Sequence, residues 1–196
     1  MIKLKMMKKQ KRKTIKLLLT ISILTLFFGC SKTTFSNENI DIYEIQTDQY
    51  DLKVAKVDPL KTDFEIYQNK PAPESLSIGK VHQNENSILT FNGSFYTPEY
   101  KPTGLLISNG KILNPPNKTA KLTNGIFLID NNNQAKLIEL NKYLENEDKW
   151  NQKIQFALQN GPILIKNNEI QITSDDQKVA SRTAIATDED NQIYII

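Results

Sequence analysis

Residues 103–113 read Thr-Gly-Leu-Leu-Ile-Ser-Asn-Gly-Lys-Ile-Leu, an apolar run, an Asn-Gly pair and a second apolar run. Asn-Gly between two such runs is the pair that a two-residue type I′ turn demands, because both central residues take positive φ. The stretch predicts a β-hairpin. The same form recurs downstream. Residues 125–130 (GIFLID), Asn131-Asn132-Asn133 and residues 135–140 predict a second hairpin. Residues 163–166, Asn167-Asn168 and residues 169–172 predict a third. Residues 183–187, 188–191 and 192–196 predict a fourth. Upstream, Tyr50, Leu52 and Val54 alternate with Asp51 and Lys53, the period of a half-buried strand. Residues 40–45 and 64–67 continue the meander, and residues 87–91 and 154–158 read as buried strands. Helical patterns are short: residues 74–83, with Leu76, Ile78 and Val81 as the stripe, and residues 140–150. The expectation is an α+β fold, a mixed but mainly antiparallel sheet of short hairpin-linked strands with a few packed helices.

The amino end has a different character. Eight Lys or Arg and no acid fall within residues 1–29, and the other residues carry 17 basic against 22 acidic side chains. The formal charge of +3 therefore belongs to the leader, and the rest is near −5. A mildly acidic body without a basic stripe does not suit nucleic acid. Residues 17–29 (LLLTISILTLFFG) form an uncharged run of 13 residues. A membrane-spanning helix needs about 20. The basic flank and short apolar run fit a secretory leader over residues 1–29. The run ends on Gly29-Cys30-Ser31, similar to a bacterial lipobox, in which cleavage precedes the Cys and its thiol takes a lipid. Residues 30–39 then read as a lipid-attached tether, and residues 40–196 as the domain. An exported protein held in the cell envelope, on the outer membrane or the outer face of the plasma membrane, is expected. One Cys and one His exclude an internal disulfide and a zinc site built from nitrogen and sulfur ligands.

Chemistry concentrates in three places where an apolar strand ends in a small polar cluster. They are Phe91-Asn92-Gly93-Ser94-Phe95-Tyr96, Leu158-Gln159-Asn160-Gly161-Pro162 and Ala180-Ser181-Arg182-Thr183-Ala184. Gly lets a backbone approach a ligand closely. Asn offers both donor and acceptor to a sugar hydroxyl. Arg presents a planar fork matched to phosphate. Singly, each cluster is an ordinary turn. Converging, they would make a polar pocket at the ends of a rigid sheet. His82 has no Ser or Asp at a meaningful spacing and reads as structural or exposed, so no catalytic triad is expected.

The order Asn92-Gly93-Ser94-Phe95-Tyr96, Pro102 to Ile107 with Asn109-Gly110-Lys111, Gly125-Ile126-Phe127, Gln159-Asn160-Gly161-Pro162-Ile163-Leu164 and Ser181-Arg182-Thr183-Ala184-Ile185 resembles the phosphodiester glycosidase family. The resemblance implies hydrolysis of a sugar 1-phosphodiester in a cell-envelope or extracellular glycan. It implies Arg182 and Asn92 as catalytic, with Arg182 holding the phosphate. Gly93, Asn160, Gly161, Pro162 and Thr183 would bind substrate. Two features depart from the family. Ser94 stands where members usually carry a second Gly. Members also continue past the last hairpin into a helix and an Asp-Gly-Gly motif, so the chain is expected to be incomplete at its carboxyl end, where residues 193–196 read as a core strand. Catalysis is therefore left open, and the alternative is a non-catalytic envelope lipoprotein that binds phosphorylated glycan. A carboxylate pair, usual in glycoside cleavage, would have to come from Glu99, Asp130 or Asp188. No cofactor is expected. The expected partners are a glycan or sugar-phosphate ligand and a membrane reached through lipid on Cys30.

Overall fold

The computed structural model describes residues 1–6, 31–48, 50–172 and 180–196. Cys30 and residues 17–29, with the expectations placed on them, lie outside the described residues. Among the described residues, no helix is long and apolar enough to cross a membrane.

The strands are β1 (Ile2–Met6), β2 (Ser31–Ser36), β3 (Ile40–Gln46), β4 (Asp51–Val57), β5 (Thr62–Ile66), β6 (Leu89–Phe91), β7 (Leu106–Ser108), β8 (Lys111–Asn114), β9 (Gly125–Asp130), β10 (Ala135–Glu139), β11 (Ile154–Asn160), β12 (Ile165–Lys166), β13 (Glu169–Ile170), β14 (Ile185–Thr187) and β15 (Ile193–Ile195). The helices are α1 (Ile78–Glu85), α2 (Leu140–Leu144) and α3 (Glu147–Asn151). Two five-stranded sheets dominate, in the orders β10-β9-β11-β7-β8 and β14-β15-β4-β3-β2. A three-stranded sheet, β5-β1-β6, and the hairpin β12-β13 complete the set. Among the described residues, every strand pair is antiparallel. The α+β expectation of hairpin-linked strands with few helices is met.

The turns explain much of this. Asn109 and Gly110 take φ of 50° and 71°, and Asn167 and Asn168 take 51° and 62°. Two successive positive φ values are what type I′ requires. Where helix α1 starts is also local chemistry. Ser77 caps it by accepting from the Lys80 amide, and Asn86 ends it in the left-handed region. The helix therefore begins later than the apolar stripe suggests. The pattern over residues 140–150 splits into α2 and α3.

β9 is apolar along its length because both of its faces are covered. Phe127 and Ile129 enter the main core with Phe156, Leu158, Val57, Ile193 and Ile195. Ile126 and Leu128 face the other way, onto a second core with Leu105, Ile107, Leu140 and Tyr143. Phe64, Phe127 and Phe156 meet with ring centroids 5.6, 6.1 and 6.2 Å apart, spacings that suit tilted aromatic packing.

Three expectations change. In β4 the buried side chains are Ala55 and Val57, while Leu52 is exposed. The start of the strand projects past the core, so its alternation there has no core to face. The polar stretch read as a tether carries a strand, because Ser31–Ser36 pairs with β3 along an open edge. Ladder hydrogen bonds form there without an apolar pattern. The first residues, expected to belong to a secretory leader, also form a strand. β1 is the middle strand of its sheet, and Ile2 (2% exposed) and Leu4 (0%) belong to the main core.

Candidate functional site

The ends of β6 and β11 come together. The Asn160 side-chain amide donates to the Gly93 carbonyl at 3.0 Å, and its oxygen accepts from the Gly161 amide at 2.9 Å. One Asn thus ties two of the three clusters to each other. Gly93 is buried, and a Cβ there would lie 2.6 Å from Ile2 Cγ1, so only glycine admits β1 this closely. A Cβ on Gly161 would collide with the Leu122 carbonyl oxygen and lie 3.0 Å from the Asn124 amide nitrogen. Both glycines are set by close approach. Asn124 Oδ1 accepts from the Ile163 amide at 3.0 Å and holds the chain that leaves Pro162.

Behind Asn160 lies Gln159, which is 1% exposed. Its oxygen accepts from the Leu105 amide (3.1 Å) and the Asn117 amide (2.9 Å). Its nitrogen donates to the carbonyls of Asn117 (3.0 Å) and Thr123 (2.8 Å). All four side-chain positions of the amide are filled, as burial requires. Gln159 therefore fixes the loops on either side of β11 and, through them, the position of Asn160. Gly104 packs on it, where a Cβ would lie 2.8 Å from Gln159 Oε1. Gln159 belongs to one of the three polar clusters, but its sequence neighbours assign it no role. It is one of three side-chain amides in β11, with Gln155 and Asn160, so the strand's sequence does not single it out.

A pocket of about 180 Å³ opens beside this junction. Asn92, Gly93, Ser94, Tyr96, Tyr100 and Pro102 line one side, and Met1, Ile2, Ile66, Tyr67 and Asn69 another. Tyr96 and Tyr100 stack with centroids 5.6 Å apart and planes 8° from parallel. Tyr96 is 65% exposed and Tyr100 37%. The turn between them places the pair, with Tyr96 bridging to Pro102 and the Tyr100 amide donating to the Thr97 carbonyl at 2.8 Å. Exposed ring faces beside amides suit a ligand with one apolar face and hydroxyl edges. Neither tyrosine was expected as a site residue.

Arg182 and Thr183 are exposed. The Arg182 guanidinium donates to the Ser181 carbonyl at 3.0 Å. Among the described residues, no hydrogen bond joins either residue to Asn92, Gly93 or Asn160, and neither lines the pocket. Strand order relates the two places. Asn191, in the β14–β15 turn, accepts from the Ala135 amide (2.7 Å) and donates to the Asn133 carbonyl (3.0 Å), which clasps that turn to the start of β10. Asn160 stands opposite Gly125, and Gly125 opposite Glu139, at the far end of these strands. Arg182 precedes β14, again on the side away from the clasp.

The three carboxylates differ. Asp130 accepts from the amides of Asn132 and Gln134 and pairs with Lys136 at 3.4 Å. Asp188 accepts from the Tyr194 hydroxyl and the Gln192 amide, each at 2.8 Å. Desolvation alone would raise its pKa, but these bonds outweigh it and hold the carboxyl below its ordinary value. Burial and Asp188 together push the Tyr194 hydroxyl up to about 12. Both acids are engaged in turns. Glu99 lies on the Tyr96–Tyr100 turn at the pocket, where the Thr97 hydroxyl and then its own amide lower its pKa. Among the described residues, no three His, Cys, Asp or Glu side chains gather as a metal site. His82 Nδ1 lies 3.1 Å from Ser87 Oγ and 3.3 Å from Thr90 Oγ1, a polar link between α1 and β6.

A family model described as phosphodiester glycosidase matches residues 85–196. The chain belongs to the phosphodiester glycosidase family. No curated protein and no solved structure matches it. The phosphodiester glycosidase span starts at the last residue of α1 and takes in Asn92, Gly93, Asn160, Gly161, Pro162, Arg182 and Thr183. β1 to β5 precede it, yet they supply Ile2, Leu4, Val57 and Phe64 to its core.

Proposed function

We propose that the chain hydrolyses a sugar 1-phosphodiester at the junction of β6 and β11. The observation that carries this reading is the Asn160 amide on the Gly93 carbonyl, beside an exposed pair of stacked tyrosines. In this reading the sugar ring lies against Tyr96, its hydroxyls meet Asn92, and Gly93 shapes the wall, while Asn160, Gly161 and Pro162, which do not line the pocket, hold the junction beside it. Arg182 and Thr183 take the phosphate. Water attacks the anomeric carbon, the bond from that carbon to the bridging oxygen breaks, and the phosphate monoester leaves with the electron pair. The proton of the attacking water passes to solvent or to Glu99. A phosphate leaves as a stable anion, so the reaction asks less of a general acid than ordinary glycoside cleavage does. Charge growing on the departing phosphate is what an Arg fork stabilises.

A panel of nucleotide sugars and sugar 1-phosphodiester analogues, scored for free sugar, tests this reading. Turnover of none of them would sink it. With a turned-over substrate, Tyr96→Ala is expected to raise KM roughly two- to tenfold with kcat little changed, because an aromatic contact contributes about 0.5–1.5 kcal/mol. An unchanged KM would remove the sugar from that ring.

The binding alternative draws on a different observation, the engagement of Asp130 and Asp188 in turns, which leaves Glu99 alone near the pocket. Saturable glycan binding without release of sugar would favour it.

In either case we place the protein in the cell envelope, on a lipid at Cys30, from the basic flank, the short apolar run and Gly29-Cys30. Dual acylation anchors stably, where a single chain does not. Cys30→Ser is expected to move the protein from the membrane to the soluble fraction and to abolish incorporation of labelled fatty acid. Continued labelling would refute Cys30 as the site.

A further inference from the structure

We propose that the channel between β5 and β6 is a strand-binding site for an extended peptide with apolar side chains at alternate positions and basic ones between, and that β1 is a replaceable occupant of it. Each neighbour in this sheet pairs only through β1: Ile2 to Met6 run opposite Ile66 to Thr62, and Ile2 to Leu4 opposite Phe91 to Leu89. A strand removed from such a position leaves two rows of ladder groups facing each other, the template on which strand addition works.

Selectivity is written on both walls. Ile2 and Leu4 fill the core against Phe64 and Phe91. A shift of one residue would take Ile2 and Leu4 out of the core, so the register is fixed. Lys3 stands opposite Glu65 and Lys5 opposite Asp63, a complementary charge pattern along one wall. The ends are held by backbone: the Tyr67 amide donates to the Met1 carbonyl at 2.8 Å, and the Ile88 amide to the Leu4 carbonyl at 2.9 Å.

The occupant also shapes the candidate site. Ile2 lies against Gly93, and Met1 and Ile2 line the pocket. Occupancy of the channel and binding in the pocket are therefore linked, and linkage of this kind is reciprocal. The inference needs β1 to be separable. It does not depend on the catalytic reading, and its readout is peptide exchange.

The test uses the full chain with a protease recognition sequence placed between Met6 and Ser31 and cut in the folded protein. The freed leader peptide is expected to stay with the body on gel filtration. A fluorescent synthetic peptide of the same sequence should displace it, saturating at one per chain. The peptide carrying Leu4→Glu should fail to exchange, and one carrying Lys3→Glu and Lys5→Glu should bind at least tenfold more weakly. If losing the leader unfolds the body, added peptide should restore its near-ultraviolet circular dichroism. Three results would overturn the proposal: release of the leader with a native body that rebinds nothing, equal binding of every peptide whatever its pattern, or exchange only within dimers.

Discussion

Gln159→Ala is expected to lower the free energy of unfolding by about 3–5 kcal/mol, among the largest effects of any single change outside the aromatic core. The side chain is nearly inaccessible and makes four hydrogen bonds, two as acceptor and two as donor. A net hydrogen bond contributes about 0.5–1.5 kcal/mol, and a buried group left without a partner costs about 1–3 kcal/mol. The substitution removes four bonds and strands the amides of Leu105 and Asn117 and the carbonyls of Asn117 and Thr123. Water entering the gap would recover part of the loss, which keeps the total below the simple sum. Gln159→Met keeps most of the volume and none of the bonds, so it should cost nearly as much. Urea unfolding at constant m reads both. A change under about 1 kcal/mol for both variants would mean that the loops on either side of β11 hold themselves.

Arg182→Ala should have the opposite profile. The side chain is exposed and its hydrogen bond runs to the neighbouring Ser181 carbonyl. Stability should stay within about 0.5 kcal/mol, as for other surface changes. Release of sugar should fall by roughly 10²- to 10³-fold, the scale on which one preorganised donor to a developing anion contributes. Arg182→Lys should recover only part of the rate, because an ammonium keeps the charge but not the two-pronged geometry. Full activity in Arg182→Ala with unchanged folding would remove Arg182 from the reaction. Loss of folding would instead show that β14 depends on it.

The hairpins were legible because Asn and Gly tolerate the positive φ that tight turns need, as at Asn109-Gly110 and Asn167-Asn168. β9 was legible because a strand covered on both faces is apolar throughout. β4 was legible as a strand but not in phase, since its pattern does not say where the core ends. β1 was missed for a different reason. Ile-Lys-Leu-Lys-Met alternates as a strand should, but the same lysines equally fit the basic flank of a secretory leader, so the alternation alone does not specify a strand. In the site, Asn92, Gly93, Asn160 and Gly161 carried local signals because close approach and turn geometry restrict residue choice. Gln159 acts through four backbone groups at three separate places in the chain, Leu105, Asn117 and Thr123. No sequence neighbour hints at that. The Tyr96–Tyr100 stack depends on the turn between the rings, which a spacing of four does not specify.

The amide that joins β6 to β11 belongs to an Asn-Gly pair, and asparagine is among the residues least durable to heat. Hydrolysis of the Asn160 amide would put a carboxylate oxygen where the donor to the Gly93 carbonyl now sits. Attraction at that seam would become repulsion, and the ring closure of the side chain onto the Gly161 nitrogen, by which such pairs lose ammonia, would reroute the backbone as well. Chemical ageing of one side chain would thus part the two strand ends that frame the pocket, giving stored protein a finite working life set at its own site.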